Sequence, residues 1–174
     1  GTEICKSLAF AGYQVIVNYN SNKEKALQTL NSLKANKHNI FKASITENED
    51  LEKMAMFVKE NYGRLDVLVN NSGVTKPIPH IDLQSLNNDL IDTIMQVNFR
   101  GSFACIRAFE SLLKKPENSI VVNISSIAGR TGIGSNVAYC ASKAAVDSMT
   151  RSLGRALAPK IRVVSLSPGW VNGD

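Results

Sequence analysis

Cysteine is scarce and odd in number: Cys5, Cys105 and Cys140 are the only three in 174 residues, and none forms a CxxC pair. A disulfide framework and a cysteine zinc site are thereby disfavoured, and reduced thiols in a cytoplasmic setting fit better. Histidine is scarcer still, with His38 and His80 standing alone, so no metal site is expected. No apolar run approaches the roughly 20 residues of a membrane span, and no charged start followed by an apolar stretch marks a secretory signal. The expectation is a soluble cytoplasmic protein with no membrane partner. Basic residues are in excess, at +5 formal charge and a pI near 9.2, but the lysines are scattered and no basic run is interleaved with aromatics. That pattern reads as a solvated surface, mildly favourable to phosphate-bearing ligands, with no nucleic-acid partner.

What the chain does have is enough apolar material, 44% of residues, for one well-filled core, so residues 1–174 read as a single domain. Five short β-rich runs, "YQVIVNY" (13–19), "HNIFKAS" (38–44), "DVLVNNSG" (66–73), "SIVVNISS" (119–126) and "IRVVSLSPG" (161–169), are almost continuously apolar. A sheet covered on both faces requires that. Amphipathic segments at helical spacing separate them, at 22–35, 47–61, 84–97, 100–115 and 136–158. The alternation predicts an α/β fold with a doubly wound parallel sheet, whose ligands sit beyond the carboxyl ends of the strands. Those ends read "NYNS", "KASI", "NNSG", "ISS" and "SPG", small and polar as close backbone approach demands.

The start is abrupt: "GTEICKSLAFAGYQVIV" predicts a helix over 2–11, a cap at Gly12 and then a strand. A dinucleotide fold needs a strand and a glycine-rich turn ahead of that helix. The expectation is therefore a partial domain, with that first strand and turn missing from the chain, unless Gly1 is merely an appended residue. The end, "SPGWVNGD", is equally abrupt.

Tyr139 and Lys143 stand four apart in "AYCASKAAV", and on a helix they share one face. Alone, such a pair is usually a surface feature. Ser126 at a strand end, "NNSG" (70–73) and Asn98 in "VNFRG" make the combination more specific. Together with "YCASK" (139–143) and "SPG" (167–169), these pieces resemble the short-chain dehydrogenase/reductase family along the whole chain, with its 3-oxoacyl-acyl-carrier-protein reductase branch the most similar.

The resemblance implies a Rossmann-like sheet and an NAD(P)-dependent enzyme, with Asn98, Ser126, Tyr139 and Lys143 as its catalytic residues. Tyrosine must exchange a proton with a substrate oxygen near neutral pH although a free phenol titrates near 10, a gap of roughly 4 kcal/mol. A lysine ammonium about 4 Å away supplies energy of that order at an effective dielectric of 20. Ser126 would polarise the carbonyl, and Asn98 would hold a water that links the lysine to solvent. Cofactor contacts implied in the same way are Gly1, Asn18, Asn20, Ser21, Ser44, Ile45, Asn70, Ser72, Gly73, Tyr139, Lys143, Pro168, Gly169 and Val171. Cys140 reads as a small core residue, and "GIGSN" (132–136) as a flexible loop near the substrate.

The second-strand end "VNYNSNK" carries no acid before Glu24 and has Lys23 nearby, which favours NADP over NAD. Two positions depart from the family pattern: Ser44 stands in place of an aspartate, and Gly173 in place of a threonine after "PG". The implied function is reduction of a carbonyl by NADPH, with a 3-oxoacyl thioester on acyl carrier protein as the first substrate and a sugar, steroid or small alcohol as the alternative. A catalytically silent nucleotide-binding protein is the competing class. Apolar positions Phe103, Ile106, Phe109, Val146, Met149 and Leu153 on two long helices suggest a homodimer or homotetramer.

Overall fold

The computed structural model describes residues 1–34 and 37–171. Its elements run α1 (Thr2–Phe10), β1 (Ile16–Tyr19), α2 (Lys23–Asn31), β2 (Asn39–Lys42), α3 (Asn48–Tyr62), β3 (Val67–Asn70), α4 (Asn88–Met95), α5 (Ser102–Leu113), β4 (Ser119–Ile124), α6 (Ala128–Thr131), α7 (Val137–Ala156) and β5 (Ile161–Leu166). A π-helical turn, Gln96–Gly101, carries α4 into α5 without a break. The separate helices expected at 84–97 and 100–115 are thus one continuous helical path.

Local chemistry explains the boundaries. The side-chain oxygens of Asn22, Asn87 and Asn136 accept the amides of Lys25, Leu90 and Tyr139, capping α2, α4 and α7. Gly63, at φ 69°, closes α3 in the left-handed region, where a Cβ is disfavoured.

All strand pairing is parallel, in two ladders: β1 with β2, and β3–β4–β5. The facing edges of β1 and β3 do not pair, so the sheet is interrupted between the two ladders. In the second ladder Asn70 and Asn123 stand opposite each other.

The main core lies between this ladder and its covering helices. Ile106, Phe109, Leu113, Val146 and Met149 close over Val121, Ile161 and Val163. Burying such side chains is worth about 1.5–3 kcal/mol each. Four of the six residues suggested as a surplus for oligomerisation, Ile106, Phe109, Val146 and Met149, are consumed here, because parallel strands need cover on both faces. Leu153 packs partly against the same core, and only Phe103 is substantially exposed. A smaller cluster of Ala9, Val15, Val17 and Ala26 seats α1 and α2 on β1. Among the described residues, no helix is long and apolar enough to cross a membrane.

Candidate active site

Helix α7 sets the geometry. Asn136, fully buried, accepts the Tyr139 amide at 2.7 Å and donates to Lys76 O at 2.8 Å and Thr75 Oγ1 at 3.2 Å. The last residue of the expected flexible loop is therefore a strut that fixes where α7 begins. One turn into the helix, Lys143 is 6% exposed and its Nζ donates to Ile124 O at 2.7 Å. The same Nζ lies 5.7 Å from the centroid of the Tyr139 ring. Tyr139 itself is half-buried.

Two glycines let neighbouring chain reach this helix. A Cβ on Gly129 of α6 would stand 2.8 Å from Ala144 N and from Lys143 C, while one on Gly134 would meet Cys140 Sγ and Ala128 Cβ at 2.9 Å. The buried Ser125 hydroxyl donates to Lys143 O at 3.2 Å, tying the end of β4 to α7. Ser126, next in sequence, is half-buried and accepts the Ala128 amide on Oγ at 3.2 Å.

Asn98 sits in the π turn, 1% exposed. The turn inserts an extra residue into the helical path and re-aims its side chains, a device common at functional sites. Asn98 Oδ1 accepts the Val74 amide at 2.8 Å, and Nδ2 donates to Val74 O at 3.1 Å and Ser142 Oγ at 3.0 Å. Both amide protons are used, so one Oδ1 lone pair is left for a water. Gly73 closes the arrangement: a Cβ there would lie 3.4 Å from Asn98 Oδ1 and 3.7 Å from Lys143 Nζ. Asn98 and Lys143 are thus brought together around Gly73, with the Tyr139 ring centroid 5.7 Å from Lys143 Nζ.

Burial pushes the Lys143 ammonium below the ordinary lysine range, and the Asp147 carboxylate partly opposes that shift. Burial raises the Cys140 thiol, and it pushes Cys105 up to about 12, so neither is a poised nucleophile.

Beside this cluster an open cleft separates the facing edges of β1 and β3, its walls including core residues such as Val17, Leu51, Val58 and Leu68 as well as polar residues at the strand ends. Gly1, Asn18, Asn20, Ser21, Ile45, Asn70, Ser72, Pro168 and Val171 line it. Ser44 is directed elsewhere: its amide donates to Asp50 Oδ2 at 2.9 Å and its hydroxyl pairs with Thr46 at 2.8 Å. Gly169 is exposed and is not among the residues that line the cleft; a Cβ there would be 3.7 Å from Ile127 Cδ1. Lys25 and Arg64, but not Lys23, are the basic residues that line the cleft. Gly173 is outside the described residues.

The residues fit an adenine dinucleotide. Asn18 lines the cleft, with its Nδ2 donating to Ala43 O at 3.0 Å and its Oδ1 buried without a hydrogen-bond partner. Lys143 Nζ has one protein acceptor, leaving two N–H bonds for a ribose. Gly1 approaches the "NNSG" turn so closely that a Cβ would be 3.2 Å from Asn71 Nδ2, which joins the start of α1 to the end of β3. Among the described residues no cluster of His, Cys, Asp or Glu could hold a metal ion.

Sequence reasoning did not find Ser125, Ser142 or the Ile124 carbonyl. Their contributions depend on which backbone atoms meet in space. Nor did sequence reasoning give Asn123 a place in the site. It is fully buried, accepting from Asn70 Nδ2 at 2.8 Å and donating to Thr150 Oγ1 at 2.9 Å, so it links β3, β4 and α7.

A family model described as short chain dehydrogenase matches residues 1–174. The chain is 34% identical over 171 residues to a granaticin polyketide synthase protein of Streptomyces violaceoruber named as a ketoacyl reductase, covering 98% of this chain and 68% of that one. It is 32% identical over 177 residues to the 3-oxoacyl-[acyl-carrier-protein] reductase FabG of Staphylococcus aureus, covering 100% and 71%. A Shigella flexneri short chain dehydrogenase solved in complex with NADP superimposes with a TM-score of 0.87 at 28% identity, covering 96% of this chain and 71% of that one.

Proposed function

The chain belongs to the short-chain dehydrogenase family, and from that premise we propose that it reduces a 3-oxoacyl thioester on an acyl carrier protein to the 3-hydroxy compound, using NADPH. That membership makes it an NAD(P)-dependent oxidoreductase acting on a carbonyl group. The observation that carries the mechanistic reading is the buried Lys143 ammonium, 5.7 Å from the Tyr139 ring and facing Asn98 across a position where only glycine stands.

When bound, the nicotinamide supplies the hydride. Tyr139 gives its phenolic proton to the substrate oxygen as negative charge develops there. Lys143 stabilises the phenolate left behind: at 5.7 Å and an effective dielectric of 20, one full charge is worth about 3 kcal/mol. Ser126 donates to the same substrate oxygen, turning its hydroxyl from the Ala128 amide only as far as its rotor requires, since an accepted bond leaves the proton free. Asn98 fixes Val74 and Ser142 with its amide and offers its remaining Oδ1 lone pair to a water that returns protons toward Lys143.

Preference for NADP rests on the second-strand end, which has no acid to repel a 2′-phosphate, and on Lys25 in the cleft wall. The NADP bound to the Shigella relative supports it. The thioester substrate rests on the two relatives named as ketoacyl and 3-oxoacyl reductases. Sugar, steroid or small-alcohol oxidoreduction is the alternative within the family. Retention of Asn98, Ser126, Tyr139 and Lys143 disfavours a silent binding protein. The unit is proposed to act in the cytoplasm as one dinucleotide-binding catalytic domain, assembled as a homodimer or homotetramer.

The test is the loss of NADPH absorbance with an acetoacetyl thioester, set beside NADH and beside sugar, steroid and short-alcohol substrates. NADPH-dependent turnover of the thioester well above the others is expected. Turnover confined to another substrate class would replace the substrate assignment, and none with any carbonyl would remove the enzymatic reading.

A further inference from the structure

Lys143 and Asp147 are the two charged side chains buried among the described residues, at 6% and 8% exposure. Four apart on α7, they share a face one turn from each other. The elements packed against α7 are α6, β5, α4 and the π turn. Their charged side chains, Arg130, Arg162, Asp89, Asp92 and Arg100, all face solvent. On α7 itself Arg151 is exposed, and the nearby titratable groups are Tyr139 and the Cys140 thiol. Asp147 is therefore the one buried carboxylate available to Lys143 among the described residues.

It is not explained by local bonding. Asp147 Oδ1 has no hydrogen-bond partner, and Lys143 Nζ is directed to the Ile124 carbonyl. A buried carboxylate left in this way destabilises a fold, and an apolar residue of similar size would normally be better there.

We propose that Asp147 is a positioning residue that keeps the buried Lys143 ammonium charged, and so sets how far into alkaline pH the Tyr139–Lys143 pair can work. Burial alone favours the neutral amine, and the carboxylate opposes it. Removing Asp147 leaves burial unopposed, so Lys143 loses its proton at lower pH. A neutral amine no longer stabilises a phenolate. This catalytic consequence rests on the function proposed above, whereas the charge state of Lys143 does not.

The test follows the NMR signal of isotope-labelled lysine Cε in the whole protein through an alkaline titration, with the Lys143 signal assigned by its loss in Lys143→Met. Asp147→Asn moves the Lys143 midpoint to lower pH, and Asp147→Glu restores it toward that of the parent. An unmoved midpoint in Asp147→Asn overturns the proposal. If the Asn variant does not fold, Asp147→Leu carries the same prediction. In turnover assays, the loss of kcat in Asp147→Asn grows from about twofold near neutral pH to about tenfold at the alkaline end, with KM little changed. A loss independent of pH would mark a purely structural role and also overturn the proposal. A parent protein without carbonyl reductase activity would count against the proposed function and leave the lysine titration to decide this inference.

Discussion

Gly129→Ala adds one methyl group where α6 lies against α7, and the structure sets its cost. The new Cβ would stand 2.8 Å from Ala144 N and Lys143 C and 3.1 Å from Lys143 O. All three are backbone atoms of a 20-residue helix, so no flexible side chain can swing aside. To regain an ordinary contact near 3.4 Å, the two segments must part by about 0.6 Å. Overpacking of that kind costs about 1–3 kcal/mol. The displacement falls on the link between the Ser125–Ser126 strand end and the Lys143 backbone, which the Ser125 hydroxyl holds at 3.2 Å. Misplacement of reacting groups by about 1 Å costs on the order of 100-fold in rate, so about tenfold is expected here. Thermal unfolding and steady-state turnover measure the two effects. Gly132→Ala is the control: Gly132 has φ 69° with open space around it, so the change costs about 1 kcal/mol of backbone strain and leaves kcat near the parent value. Gly129→Ala with parental stability and turnover would refute the claim that α6 is pressed against α7 to hold the site.

Gly73→Ala should leave the melting temperature nearly unchanged, because its Cβ meets Asn98 and Lys143 at ordinary contact distances of 3.4 and 3.7 Å, yet raise KM for NADPH by about tenfold by occupying space between them and the cofactor. Parental KM in that variant would place the cofactor elsewhere. Asn136→Ala removes a helix cap and two loop bonds together, so a loss of about 2–3 kcal/mol by denaturant unfolding is expected, and a change below about 0.5 kcal/mol would contradict its role as a strut.

The strands and most helices were legible because parallel strands buried on both faces are written as short apolar runs and the covering helices as amphipathic ones. "SIVVNISS" led directly to β4, and "YCASK" to the first turns of α7. The π turn was not legible, since nothing in "QVNFRG" distinguishes an inserted residue from an ordinary helix break. The four-residue helix α6 escaped for a related reason: "AGRT" is too short to show a period, and it is held by contact with α7. Four of the six apolar residues on α5 and α7 suggested as a surplus are buried in the core, because amphipathic spacing shows that a face is apolar without showing what covers it. In the site, the residue types of the four candidates, Asn98, Ser126, Tyr139 and Lys143, were readable from motif and spacing. The atoms that orient them were not. The Ile124 carbonyl, the Ser125 hydroxyl and the Val74 backbone become partners only through tertiary contact. Ser44 illustrates the converse, a residue at the expected strand end whose hydroxyl is taken by Thr46.

The central claim is that Tyr139 is the proton donor, and Tyr139→Phe tests it most directly, since it removes one oxygen and leaves the ring that faces Lys143. Turnover with NADPH and a 3-oxoacyl thioester, NADPH affinity and thermal stability are measured on the same preparation. The account predicts kcat lower by about 100-fold or more, with affinity and melting temperature close to those of the parent. Undiminished turnover in the folded variant would contradict it.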